Sequence, residues 1–190
     1  MIICKKLYFL IIENIKDIDL RKIKKRKKFS IIYRVNDKID KIEDLTRFRN
    51  KCRAKQITFY IANNLDLAIL LKSDGVYLSA KNRSFKALNL NKLNLKIIGS
   101  AHNQKEIYLK VKQGCEYIFL SRLFKVFYKP EMNYLGINKF NNYSINHYKK
   151  LVPLGGINMN SLNKLKSIRS DGLAILTEVK KKPAIISRLF

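Results

Sequence analysis

One fold class accounts for the pattern of this 190-residue chain: α/β, as a compact (β/α)8 or TIM barrel built from a single domain over residues 1–190. Three observations predict it. Eight short apolar stretches rich in β-branched and aromatic residues recur along the chain, and segments of helical spacing separate several of them. The tripeptide Ser-Asp-Gly stands directly ahead of two of those stretches, at 73–75 and 170–172, with a weaker copy in QGCEYIFLS at 113–121. A glycine at that point predicts a left-handed exit from a helix into the next strand.

The elements follow in order. KLYFLII (6–12), FSIIYRV (29–35), ITFYIA (57–62) and GVYLSA (75–80) read as the first four strands. KIIGSA (96–101), CEYIFLS (115–121), LVPLGG (151–156) and GLAILT (172–177) read as the last four. A helix is predicted over 40–55, where Ile42, Leu45, Phe48 and Cys52 recur at spacings of three or four. A second covers 102–114, with Ile107 and Val111 on one face and Gly114 as its stop. A third covers 158–169, with Leu162, Leu165 and Ile168 three apart. The connection 80–96 has only weak helical character, and Pro183 opens a short C-terminal helix. Near-continuous apolar strands alternating with helices describe a parallel sheet covered on its faces. Periodicity alone leaves a doubly wound open sheet as the alternative.

Composition narrows the function classes. A 47% hydrophobic content describes a globular chain rather than a disordered one. Cys4, Cys52 and Cys115 lie far apart without a CxxC, so the sequence predicts free thiols, a reducing cytoplasmic setting and no zinc site. The apolar run between Lys6 and Glu13 is too short for a signal segment or a membrane span, so no membrane partner is expected. The net charge of +26 favours polyanions. Yet thirty of the 40 basic residues are lysine, spread over nearly every segment alongside abundant Asn and Ile, as drift toward A/T-rich codons would produce. The dense cluster RKIKKRKK (21–28) reads as a solvated helix face, with no RNP-like or KH-like motif beside it. Nucleic acid is therefore not the expected partner. Oligomeric state stays open, a homo-oligomer included.

Five pieces, in order, carry a resemblance: IANNLDLAILLKSDGVYLSAKN (61–82), IIGSAHNQKE (97–106), GCEYIFLSRLFKVFYK (114–129), LVPLGGINMN (151–160) and SDGLAILTEV (170–179). Over about residues 6–179 the chain resembles the thiamine phosphate synthase/TenI superfamily of compact (β/α)8 barrels. The resemblance implies thiamine biosynthesis. In the synthases an aminopyrimidine diphosphate loses pyrophosphate, and the resulting cation is captured by the nitrogen of a thiazole phosphate. Such chemistry uses magnesium carboxylates and basic groups against the leaving diphosphate.

Position by position, the family's Gln-x-Arg-x-Lys falls on Ile32, Arg34 and Asn36, and its Asn-Asp pair on Ala62 and Asn63. The carboxylate after the fourth strand falls on Asn82, and a family histidine on Tyr77. Thr-x-Thr-Lys falls on Val126, Tyr128 and Lys129, and the aromatase histidine on Arg122. The catalytic candidates are thus Arg34 and Lys129, and magnesium meets amides at Asn63 and Asn82, which bring no negative charge. Gly155, Gly156, Leu176 and Thr177 form the expected phosphate cradle after strands seven and eight. Ser100, Asn63 and Asn82 are expected at the same mouth.

The expected partner is a phosphorylated small-molecule heterocycle, bound at an eroded synthase site. The alternatives are a non-catalytic or regulatory phosphate-ligand binder and, third, a basic nucleic-acid-binding protein. Carboxylates recruited from Asp37 or Asp66 would favour an enzyme. Within SAHN, Ser100 and His102 present a nucleophile beside a base, or Ser100 or Asn103 caps the following helix and His102 is a turn residue. Tyr77 reads as a mouth or core aromatic. Asp74 and Asp171 stand at strand starts, the stability face of a barrel, and are expected to shape turns.

Overall fold

The computed structural model describes residues 7–23, 26–35, 39–126, 131–147, 150–161 and 163–176. Eight parallel strands close into a barrel in chain order: β1 Leu7–Ile12, β2 Phe29–Tyr33, β3 Thr58–Ala62, β4 Gly75–Leu78, β5 Lys96–Ala101, β6 Tyr117–Ser121, β7 Lys150–Leu154 and β8 Gly172–Ile175. The first and last strands pair in parallel, Leu7 opposite Gly172 and Leu10 opposite Ile175, so the open-sheet alternative is excluded. Among the described residues the helices are α1 Ile42–Ala54, α2 Leu65–Leu70, α3 Gln104–Lys112 and α4 Gly136–Asn146.

Strand alternation sorts the core into two layers. Phe9, Ile11, Ile32, Tyr60, Tyr77, Ile98, Phe119, Val152, Leu154 and Ala174 fill the lumen. Their neighbours in sequence, such as Leu10, Ile31, Phe59 and Ile118, pack outward under the helices. The lumen is an aromatic stack: Phe119 meets Phe9 edge-on at 4.9 Å between ring centroids and Tyr77 at 5.6 Å. Each such side chain contributes roughly 1.5–3 kcal/mol of burial, so the lumen is packed solid and only its ends are free for ligands.

The two Ser-Asp-Gly turns have a common construction. Ser73 Oγ donates to the Gly75 carbonyl at 3.0 Å, and Ser170 Oγ donates to the Gly172 carbonyl at 3.0 Å. Asp74 adds a strand latch, accepting from the Phe59 N–H at 2.8 Å and facing Arg49 at 3.3 Å. The turn-shaping role expected of Asp74 is what the geometry displays. The conformational reason for the glycines is different from the expected one. The left-handed residue ahead of the first copy is Lys72 (φ 48°), and Gly75 is needed because a Cβ would run into the Lys96 carbonyl of the neighbouring strand. Only the weaker third copy keeps a left-handed glycine, Gly114 at φ 76°.

Three other expectations need correction. The stretch 158–169 forms no α-helix among its described residues but two 3-10 turns, Met159–Ser161 and Asn163–Ser167, which still bury Leu165 and Ile168. The basic cluster 21–28 contributes 3-10 turns, Leu20–Lys22 and Arg26–Lys28, rather than a helical face. Helices α2 and α4 were not expected: α2 is only six residues long, and α4 carries one buried residue, Phe140, so neither displays a long apolar stripe. The C-terminal helix expected from Pro183 lies outside the described residues, as do Asn36, Asp37, Tyr128, Lys129, Leu162 and Thr177. No helix among the described residues is long and apolar enough to cross a membrane.

Candidate functional site

At the C-terminal end of the barrel, a cavity of about 230 Å³ opens between the ends of β2, β5, β6, β7 and β8. Arg34, His102, Ser121, Arg122, Gly155 and Gly156 supply its chemistry, and Leu176 and its β8 neighbours supply an apolar wall. Four of the expected site residues thus converge here, Arg34, Gly155, Gly156 and Leu176, joined by Arg122, which was expected only as the residue standing at the aromatase-histidine position.

Arg34 follows β2 at an inward-facing position, its N–H bonded to the Ile12 carbonyl at 2.8 Å. Its Nη2 lies 3.5 Å from Glu13 Oε1, a long and partly exposed pair worth about 0–1 kcal/mol. Its Nε is buried and has no hydrogen-bond partner among the described residues. Arg122 follows β6, and its backbone oxygen is fixed by the Leu135 N–H at 2.8 Å. Its stem lies across the glycine loop: a Cβ on Gly155 would come within 3.3 Å of Arg122 Cγ. One guanidinium nitrogen meets the Met132 sulfur, a weak acceptor, and Nη1 is buried without a partner among the described residues. Leaving a buried donor unmade costs about 1–3 kcal/mol, more when it is charged. Two guanidinium groups with such donors at one cavity form a demand for oxyanion acceptors.

The glycine loop is held by its neighbours. Leu123 N–H donates to the Leu154 carbonyl and Phe124 N–H to the Gly155 carbonyl, so the exits of β6 and β7 are stitched together. Gly155 and Gly156 both adopt left-handed backbone, at φ 93° and 69°. A Cβ on Gly156 would collide with the Phe124 carbonyl. The glycine is therefore required by the loop itself, before any ligand arrives. Beyond Gly156 and Val126 a second cavity of about 500 Å³ begins, walled by Phe124, Tyr134 and Val126 and edged by Asn158, Asn160 and Lys164. Its mainly apolar surface suits a flat heterocycle.

His102 does more than make a turn. Its Nδ1 lies 2.9 Å from Ser121 Oγ and 3.0 Å from the Ser121 carbonyl oxygen, so its hydroxyl neighbour is Ser121 rather than Ser100. Asn103, as one reading had it, caps α3 by accepting from the Glu106 N–H, and Glu106 reaches back to the His102 N–H at 2.7 Å. Ser100 sits below the mouth, 5% exposed, near Tyr77, which is a core aromatic. Burial pushes the Tyr77 phenol above its ordinary value, so it stays protonated.

Asn63 and Asn82 do meet, but they serve each other. Asn63 Oδ1 accepts from the Ser79 N–H at 2.9 Å and from Asn82 Nδ2 at 3.1 Å, while Asn82 Oδ1 accepts from the Ser84 N–H. From α3, Lys110 Nζ donates to the Asn82 carbonyl at 2.7 Å, and the Gln113 amide donates to it at 3.1 Å. Both amide oxygens are already in use, and neither residue carries charge. Among the described residues no cluster of His, Cys, Asp and Glu could hold a metal ion. The residues present do not fit magnesium. Asp66 lies in the first turn of α2 and is not part of the mouth cavity. Glu13, Ser121 and the orientation of His102 were missed from sequence. Their signal was positional, since each lies at or just past the C-terminal end of a strand, where barrel sites are built.

Comparison with known proteins completes the description. A family model described as thiamine monophosphate synthase matches residues 13–179. A thiamine-phosphate synthase of Prochlorococcus marinus strain SARG is 29% identical over 129 residues, covering 67% of this chain and 37% of the relative. One from Prochlorococcus marinus subsp. pastoris is 30% identical over 143 residues, covering 75% of this chain and 40% of the relative. The chain thus spans about two-fifths of the length of these relatives. The solved structure of a thiamine phosphate pyrophosphorylase from Pyrococcus furiosus has a TM-score of 0.73 and 17% identity, covering 97% of this chain and 96% of that one, and so shares the fold.

Proposed function

We propose, from the premise that this chain belongs to the thiamine monophosphate synthase family, that its barrel mouth binds a phosphorylated heterocycle of thiamine biosynthesis, a thiazole phosphate or an aminopyrimidine diphosphate. The observation that carries this reading is the pair of guanidinium groups, Arg34 and Arg122, each with a buried donor lacking a partner among the described residues, beside the left-handed Gly155–Gly156 loop. The phosphate sits in the smaller cavity against these arginines. The ring extends past Gly156 into the apolar cavity of Phe124 and Tyr134.

A second reading, a phosphate-ligand binder without synthase turnover, is favoured by one specific observation. Asn63 and Asn82 stand where the family resemblance expects carboxylates, and they are closed on each other. Calorimetric titration separates phosphate recognition from ring recognition. Thiazole phosphate binds about ten- to a hundredfold more tightly than the dephosphorylated thiazole, and Arg34→Ala removes that difference. Equal affinities for the two ligands in the wild type would remove the proposed function.

A further inference from the structure

We infer that Arg122, together with Arg34, takes over the work of a divalent cation, so that the mouth binds a phosphate or diphosphate group without any metal. This rests on the mouth being the phosphate site proposed above. Three features point to it. The two residues expected to carry magnesium are neutral amides whose carbonyl oxygens are consumed within the protein, by Ser79, Asn82 and Ser84. Magnesium at this place would call for anionic oxygen donors on the protein side, and this pair offers none.

Two arginines line the cavity instead, and among the described residues the carboxylate paired with either is Glu13, 3.5 Å from Arg34 Nη2. Among the described residues Arg122 has no acidic partner, and its guanidinium is met by a thioether. Planar guanidinium forks suit phosphate oxygens in two-point contacts, and their charge does not depend on pH in the physiological range.

The backbone accommodates this arrangement. Gly155 leaves room for the Arg122 stem where any side chain would press on its Cα, Cβ and Cγ. The arginine therefore lies over the loop at which a barrel ordinarily receives phosphate. With Arg34 across the cavity, the two forks can hold oxygens on opposite sides of one group. The chemistry selected is a tetrahedral dianion, and a diphosphate, with more oxygens to share, should gain most.

The test uses the two histidines of the chain as separate reporters, His102 in the mouth and His147 near the opposite end of the barrel. Their imidazole signals are followed by NMR as inorganic pyrophosphate or thiazole phosphate is added, in EDTA and again in excess magnesium. The expected result is saturable movement of His102 and not His147, with apparent affinities in the two media agreeing within about threefold. Arg122→Gln weakens pyrophosphate about ten- to a hundredfold, and Arg122→Lys falls between. Arg34→Gln gives an independent loss should the Arg122 variants fold poorly. If thiazole phosphate moves His102 but pyrophosphate does so only with magnesium, the metal-free inference is wrong and the phosphate site stands. If neither ligand moves His102, both fall.

Discussion

Replacing Gly156 by alanine separates two reasons for a glycine at the mouth, and a control elsewhere in the chain calibrates it. Gly136 and Gly156 have nearly the same backbone, φ 71° and 69°. Around Gly136 a Cβ would meet nothing within 4 Å, whereas at Gly156 it collides with the Phe124 carbonyl and comes within 2.8 Å of the Lys125 carbonyl oxygen. Gly136→Ala should therefore cost only the left-handed penalty of about 1–2 kcal/mol. Gly156→Ala adds an overpacking cost of about 1–3 kcal/mol against backbone, which cannot rotate away. At about 2.1 cal/mol/K of unfolding entropy per residue, a chain of 190 residues loses about 2.5 °C of Tm per kcal/mol. Gly136→Ala should melt about 3–5 °C below wild type, and Gly156→Ala about 5–12 °C below. Circular dichroism melts give both numbers. Equal drops in the two variants would show that the Gly156 loop is not held against the β6 exit.

Other outcomes follow from the same structure. Burial raises the Tyr33 phenol to about 12 and those of Tyr60 and Tyr77 as well, so ultraviolet titration of the folded protein should leave these three un-ionised when exposed tyrosines have titrated. Because their folded values exceed the unfolded value, the linked stability is complete below pH 10 and declines as pH rises from there toward 12, which urea unfolding at pH 9, 10 and 11 measures. Burial likewise raises the Cys52 thiol to about 12, so alkylation at pH 8 followed by mass spectrometry should label it only in denaturant. The double variant Asn63→Asp with Asn82→Asp should acquire heat of magnesium binding that the wild type lacks. Incubated with aminopyrimidine diphosphate, thiazole phosphate and magnesium, the wild type should form thiamine phosphate at a rate at least about tenfold below that double variant; brisk magnesium-dependent turnover of the wild type would restore Asn63 and Asn82 as working ligands.

How far the sequence could be read depends on which part of the physics is local. All eight strands were legible because each is a short apolar run buried on both faces, from Leu7–Ile12 to Gly172–Ile175. Helices α1 and α3 were legible because Leu45, Phe48 and Cys52, or Ile107, repeat on one buried face. The 158–169 connection kept the spacing of a helix but closes in 3-10 turns, the first of them capped by Asn158, whose Oδ1 accepts from the Asn160 and Ser161 N–H groups. At the mouth, Arg34 and the glycine pair could be placed from their positions past strand ends. That the Asn63 oxygen would be taken by the Asn82 amide and the Asn82 oxygen by the Ser84 N–H could not, because the first bond spans 19 residues and depends on the loop that Lys110 and Gln113 hold from α3. The partnership of His102 with Ser121 is likewise made only when β5 and β6 pair, Ala101 beside Leu120.

The central claim, that the barrel mouth is a phosphate site, meets its most direct test in a crystal structure grown with thiazole phosphate in metal-free buffer. The account predicts phosphorus density between the Gly155–Gly156 loop and the guanidinium groups of Arg34 and Arg122, with the thiazole ring against Phe124 and Tyr134. Ligand bound away from these residues, or a mouth that stays free of ligand at saturating concentration, would contradict it.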